Sequence, residues 1–177
     1  CLDALKQAQT VRRAERRLPL AEIVLAARVA RETAWRRQVQ CLTECQGAIR
    51  TAEQKLSATL REAGQAAIRA DDLARRFGLT NAVPCAGTDL QGQCQLLGDA
   101  REASTLIPSA QAAMARLARE KASIDAELAT LRSQREALSG APMTLSRVEV
   151  KCERARARAT RLAQWSAKST EIAQARA

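Results

Sequence analysis

Residues 107–138 read IPSAQAAMARLAREKASIDAELATLRSQREAL, and the spacing of their apolar side chains decides the fold class. Ile107, Ala110, Met114, Leu117, Ile124, Leu128, Leu131 and Leu138 recur at alternating steps of three and four, with Lys121 and Arg135 in the two remaining places. A row held at this 3.5-residue period is the seam of a coiled coil, and Lys and Arg at its edge lay their stems on it while keeping their charge in water. Toward the amino terminus, seven-residue steps join Trp35, Leu42, Ile49, Leu56, Ala63, Ala70 and Phe77. Val39, Leu60, Ala67 and Ala74 fill a companion row four residues on, interrupted by Gln46 and Glu53. The stretch between the arms, GLTNAVPCAGTDLQGQCQLLG at 78–98, holds four Gly and one Pro. Gly78 directly after Phe77 is a helix stop, and the rest reads as a tip. The expected fold is all-α: a long antiparallel two-helix coiled-coil hairpin in a single domain. Arm one covers about 4–77, the tip 78–98, and arm two about 99–176.

Proline punctuates this pattern. Asp3 caps an opening helix to about Arg17, and Pro19, lacking an amide donor, is expected to kink or restart it. Arm two begins near Asp99 or Thr105, the second choice placing Pro108 in a first turn. Ser139-Gly140-Ala141-Pro142 breaks the helix, yet Leu145, Val148, Cys152, Ala155, Ala159 and Leu162 continue the same heptad phase. The second arm is therefore expected to be kinked, with its register preserved. Heptads alone equally allow each long helix to pair with another chain.

Composition supports the helical reading. Trp35, Phe77 and Trp165 are the only aromatic residues, and there is no Tyr and no His. Ala, Leu, Arg, Gln and Glu dominate, and these are the strongest helix formers. They suit helices packed closely in pairs rather than a thick core. The lack of histidine removes the commonest general base and the commonest zinc ligand together. No run approaches the roughly 18 apolar residues of a membrane span, and no basic-then-apolar leader is seen. A chain opening at Cys1 leaves two expectations, a mature lipoprotein or a segment of a longer chain, of which the second is preferred.

The net charge of +10 is unevenly spread. Residues 1–50 carry ten Lys/Arg against five Asp/Glu, residues 51–140 eleven against eleven, and residues 141–177 eight against three. An antiparallel hairpin brings the two basic ends to one pole. In the last helix Arg147, Lys151, Arg154, Arg158, Arg161 and Lys168 form a row about 200° around from the apolar one, only partly relieved by Glu149 and Glu153. Arg12, Arg13, Arg16 and Arg17 add two like-charge i,i+4 pairs with Glu15 nearby. Such a face is either a solvated surface or a binding surface for an acidic protein, anionic lipid or nucleic acid. No nucleic-acid recognition motif and no interleaved aromatic residues accompany it.

Cys41 and Cys45 lie one turn apart, Cys85 and Cys94 lie in the tip, and Cys152 lies in the apolar row. With no CxxC and no histidine, they read as small buried hydrophobes rather than metal ligands. Either redox state of Cys85 and Cys94 fits the sequence. No phosphate-binding loop, dinucleotide fingerprint, nucleophile elbow or spaced carboxylate constellation occurs. A non-enzymatic protein without cofactor or small-molecule substrate is expected.

The run TVRRAERRL at 10–18, followed by an Ala/Arg-rich amphipathic helix, resembles the opening of type III secretion stalk proteins of the FliJ/YscO family, including the Hrp-system members. The likeness extends to the order of long helix, tip, long helix and basic ends. It implies a cytoplasmic protein beneath the inner-membrane export apparatus, engaging the hexameric secretion ATPase and the export gate or substrate chaperones. Carried onto this chain, Arg12, Arg13, Arg16, Arg17, Arg147, Lys151, Arg154, Arg158 and Arg161 would meet acidic residues of such partners. Pro19, the 139–142 break and the cysteines depart from a simple stalk. A self-assembling structural coiled coil, lipid-anchored or not, is the second class, and a non-specific basic nucleic-acid binder the third.

Overall fold

The computed structural model describes residues 2–81, 88 and 97–174. It is an all-α helical hairpin, with no strand among the described residues. Helix α1 spans Leu2–Gly78 and ends in a 3-10 turn at Leu79–Asn81. Helices α2 (Gly98–Ala137), α3 (Ala141–Ala167) and the short α4 (Ser169–Gln174) follow. None of the described helices is long and apolar enough to cross a membrane. Most of the tip expected at 78–98, with Cys85 and Cys94, lies outside the described residues.

Of the kink or restart expected at Pro19, the restart does not occur, and helix α1 runs through that residue. Residue 19 is exposed, so the carbonyl that loses its amide donor stays within reach of solvent. Pro108 likewise sits inside α2, which starts at Gly98, and is also exposed. The break in arm two falls at Leu138–Gly140, and backbone hydrogen bonds span it. Leu138 N donates to Gln134 O at 3.1 Å, Ala141 N to Leu138 O at 3.0 Å, and Thr144 N to Gly140 O at 3.1 Å. Pro142 falls in the first turn of α3, where its missing amide costs nothing.

The chain forms two compact units. Unit 1 joins Cys1–Cys45 to Gln134–Ala177. Its buried face takes Ala8, Val11, Ala14, Ala21, Leu42 and Cys45 from α1 and Ala141, Val148, Cys152 and Ala159 from α3, with Trp35 and Leu138 half-buried. Half of the buried side chains are alanine, so many of the contacts between these helices remove little apolar area from water. The register of α3 continues across the break, as the buried Ala141, Val148, Cys152 and Ala159 show.

Unit 2 is Gln46–Ser133. Ile49, Ala52 and Leu73 of α1 are buried, as are Leu97 and, in α2, Ala100, Ala103, Leu117, Ile124 and Leu128. Leu56, Ile107 and Leu131 are half-buried. Phe77 and Met114, expected in the seam, are 43% and 40% exposed. Ala113 turns inward in place of Met114, because the buried Leu117 and Ala103 fix the inner face of α2. Phe77 lies past Leu73, the last buried side chain of α1.

The companion row also differs from expectation. Leu60, Ala67 and Ala74 are exposed, and Cys45, Ala52, Thr59 and Leu73 are buried one residue earlier than the regular repeat requires. Two successive three-residue steps, Val39–Leu42–Cys45, produce the change. Such a stammer overwinds a coiled coil locally. It has a chemical cause: the regular positions hold Gln46 and Glu53, whose burial would strip them of water, whereas Cys45 and Ala52 are apolar.

Candidate partner-binding surface

The charges divide along the same lines as the units. Unit 1 carries 18 Lys/Arg against nine Asp/Glu, a net +9, whereas unit 2 carries 11 against ten, a net +1. Unit 2 pairs part of its charge internally. Arg75 bridges Asp71 at 3.0 Å, Arg76 bridges Asp72 at 2.9 Å and Lys121 bridges Asp125 at 2.6 Å, each across one helical turn. Arg132 of α2 reaches Glu53 of α1 at 3.1 Å.

Arg12, Arg13, Arg16 and Arg17 on α1, and Arg147, Lys151, Arg154, Arg158 and Arg161 on α3, are all exposed. None of the nine forms an ion pair among the described residues. The acids expected to relieve the α3 row are engaged elsewhere, Glu149 with Arg36 at 3.3 Å and Glu153 with Arg156. Lys168, last of the row, stands 4.9 Å over the Trp165 ring. The cationic face therefore keeps its full field toward solvent.

Two members of this set meet across the helix pair. Arg17 and Arg158 line one groove of about 280 Å³ together with Leu20, Ala21, Val24 and Ala155. Arg12 lines a second, of about 350 Å³, between the start of α1 and Ser169, Ile172 and Ala173. Leu20 and Ile23 are 63% and 67% exposed, and Val24 is exposed beside them. Sequence reasoning missed this apolar strip. Its signal was present as three large apolar side chains at i, i+3 and i+4, off the seam rows, directly after Pro19.

A polar site in the seam was also missed. Glu32 is only 7% exposed and lies seven residues before Val39, on the row that continues through Cys152's partner face. Its carboxylate takes a 2.6 Å bridge from Arg36, which also reaches Glu149, and lies beside the Cys152 thiol. Hydrogen bonding with Glu32, then burial and the negative charge of Glu32, push the thiol above its ordinary pKa of 9.0. A raised pKa makes Cys152 a poor nucleophile.

Cys41 is exposed and Cys45 buried on α1. Among the described residues no three Cys, Asp or Glu side chains converge to hold a metal ion. No protein-family model matches the chain, and no curated protein or solved structure is similar to it beyond chance.

Proposed function

We propose that this protein is a non-enzymatic coiled-coil stalk of a bacterial type III protein secretion system, which binds the secretion ATPase through its basic pole and the export gate or chaperones elsewhere. It works in the cytoplasm, held at the inner membrane by the secretion apparatus. The observation that supports this reading is the segregation of charge. The unit that holds the nine exposed, unpaired basic side chains carries a net +9, while the other is nearly neutral at +1. A merely solubilising surface needs no such division, whereas a protein that presents one unit to an acidic partner does.

The test measures ATP hydrolysis by the secretion ATPase of the same organism with and without the protein, alongside co-elution of the two. A variant with Arg12, Arg13, Arg16 and Arg17 changed to Glu is run in parallel. Co-elution and altered turnover, both lost in the variant, support the stalk. Absence of association at moderate salt removes it.

A second reading, self-assembly into a structural coiled coil, is favoured by Leu60 and Ile68, large apolar residues exposed on the near-neutral unit 2. Sedimentation in which mass rises with concentration, and falls in Leu60→Ser/Ile68→Ser, would establish it.

A further inference from the structure

We infer that the groove between α1 and α3 in unit 1 is a docking site for an acidic amphipathic helix of a partner protein. The inference rests on the basic pole being a protein-binding surface, and not on which protein it binds. Its floor and one wall are apolar, made by Leu20, Ala21, Val24 and Ala155, and its rim carries Arg17 from α1 and Arg158 from α3. Ile23, next to this wall, is the most exposed large side chain of unit 1.

The chemistry selects the occupant. Leu20, Ile23 and Val24 follow the i, i+3, i+4 pattern that presents one continuous strip along a helix, and such a strip pairs with the apolar face of another helix. Arg17 and Arg158 are both exposed and hold no carboxylate among the described residues. Glu or Asp flanking the apolar face of an incoming helix would supply what they lack, at short range and with fixed orientation. Apolar walls between two cationic edges therefore call for the complementary order, an apolar ridge between two acidic edges.

The alternatives fit less well. A second copy of this chain would bring Arg17 and Arg158 against the same cationic face, with a net charge of +9 on each unit. Like charges placed face to face oppose that association. An anionic bilayer takes up a convex helix face, whereas this strip borders a recess between two helices. A nucleic-acid backbone would satisfy the arginines and leave the apolar walls unmatched.

The experiment uses the full chain and a fluorescein-labelled peptide of about 18 residues, five helical turns, with Leu at i, i+3, i+4 and i+7 repeats and Glu on both flanks. A scrambled peptide of the same composition and charge is the control. We expect the amphipathic peptide to bind at least tenfold more tightly than the scrambled one. Leu20→Ser/Val24→Ser and, separately, Arg17→Glu/Arg158→Glu should each weaken it at least tenfold, while Leu79→Ser, exposed in unit 2, leaves it unchanged. All substituted positions are exposed, and unchanged helicity by circular dichroism confirms that the variants fold. Equal binding of the scrambled peptide, or binding indifferent to the groove variants, overturns the inference. So does preferential binding to phosphatidylglycerol vesicles, or a dimer in sedimentation, that Leu20→Ser/Val24→Ser abolishes. Because the peptide assay contains no ATPase, failure to bind the secretion ATPase removes the stalk and leaves this inference standing, whereas loss of peptide discrimination does the reverse.

Discussion

Cys152, fully buried on α3, lies beside Glu32, itself almost wholly buried on α1, and the carboxylate holds the thiol above its ordinary pKa. The two are the polar exception in a seam otherwise made of Ala, Val, Leu and Trp at this level. Their contact joins the helices of unit 1 chemically as well as by packing.

Stability should decline with alkali through this contact. The folded protein holds the Cys152 proton above the thiol's ordinary 9.0, so above that pH the native state binds more protons than the unfolded chain. The contribution is complete below 9.0 and disappears as pH climbs through the raised folded-state value. Urea midpoints measured from pH 7.5 to 10.5 should fall more steeply for the parent protein than for Glu32→Gln or Cys152→Ala. Alkylation at pH 8 should modify the exposed Cys41 rapidly, and Cys152 only after unfolding or, faster than in the parent, in Glu32→Gln.

Arg36 should matter more than its exposure suggests. It bridges both the buried Glu32 and the more exposed Glu149. Arg36→Ala leaves the first without its cation and should cost about 1–3 kcal/mol. Glu149→Ala, which removes a surface pair only, should cost less than about 1 kcal/mol. Equal costs in denaturant titrations would show that Glu32 does not need its arginine.

Two leucines separate the seam from its false continuation. Leu128→Ala removes a buried side chain of α2 and should cost about 2–5 kcal/mol. Leu60→Ala, at an exposed position of α1, should change stability by no more than about 0.5 kcal/mol.

Several substitutions should stabilise. Pro19 sits in a helix interior, where proline is about 3 kcal/mol worse than alanine. Pro19→Ala should therefore raise the melting temperature. A Cβ added at Gly47 or Gly64 would meet nothing within 4 Å, and each Gly→Ala change there should add about 1 kcal/mol. Unaltered melting in all three would mean that these positions are already frayed in the native state.

How far the sequence could be read follows from which forces act locally. Ile124, Leu128, Val148 and Cys152 were legible because a large or sulfur-bearing side chain recurs at the heptad step and has nowhere else to go. The swap of Leu60 for Thr59 was not, because it is decided more than a turn away by the polarity of Gln46 and Glu53. Pro19 misled for a different reason: the expected penalty is real, but an exposed position and a long flanking helix absorb it. For the basic pole, spacing gave the row of cations. Their lack of acid partners depended on Glu149 and Glu153 turning toward Arg36 and Arg156, which are side-chain choices no periodicity records.

The alanine-rich seam of unit 1 has a property resembling that of a ruler with unlabelled marks. Small apolar side chains at every heptad give it near-translational symmetry, so sliding one helix past its neighbour by seven residues would replace like with like at most levels. Glu32 is where the marks acquire a label. Moved by one heptad, its carboxylate would face Leu145 or Ala159, neither of which has a proton to give. The carboxylate carries its Arg36 bridge into any alignment, but only the alignment that places it beside Cys152 offers it a thiol from the facing helix.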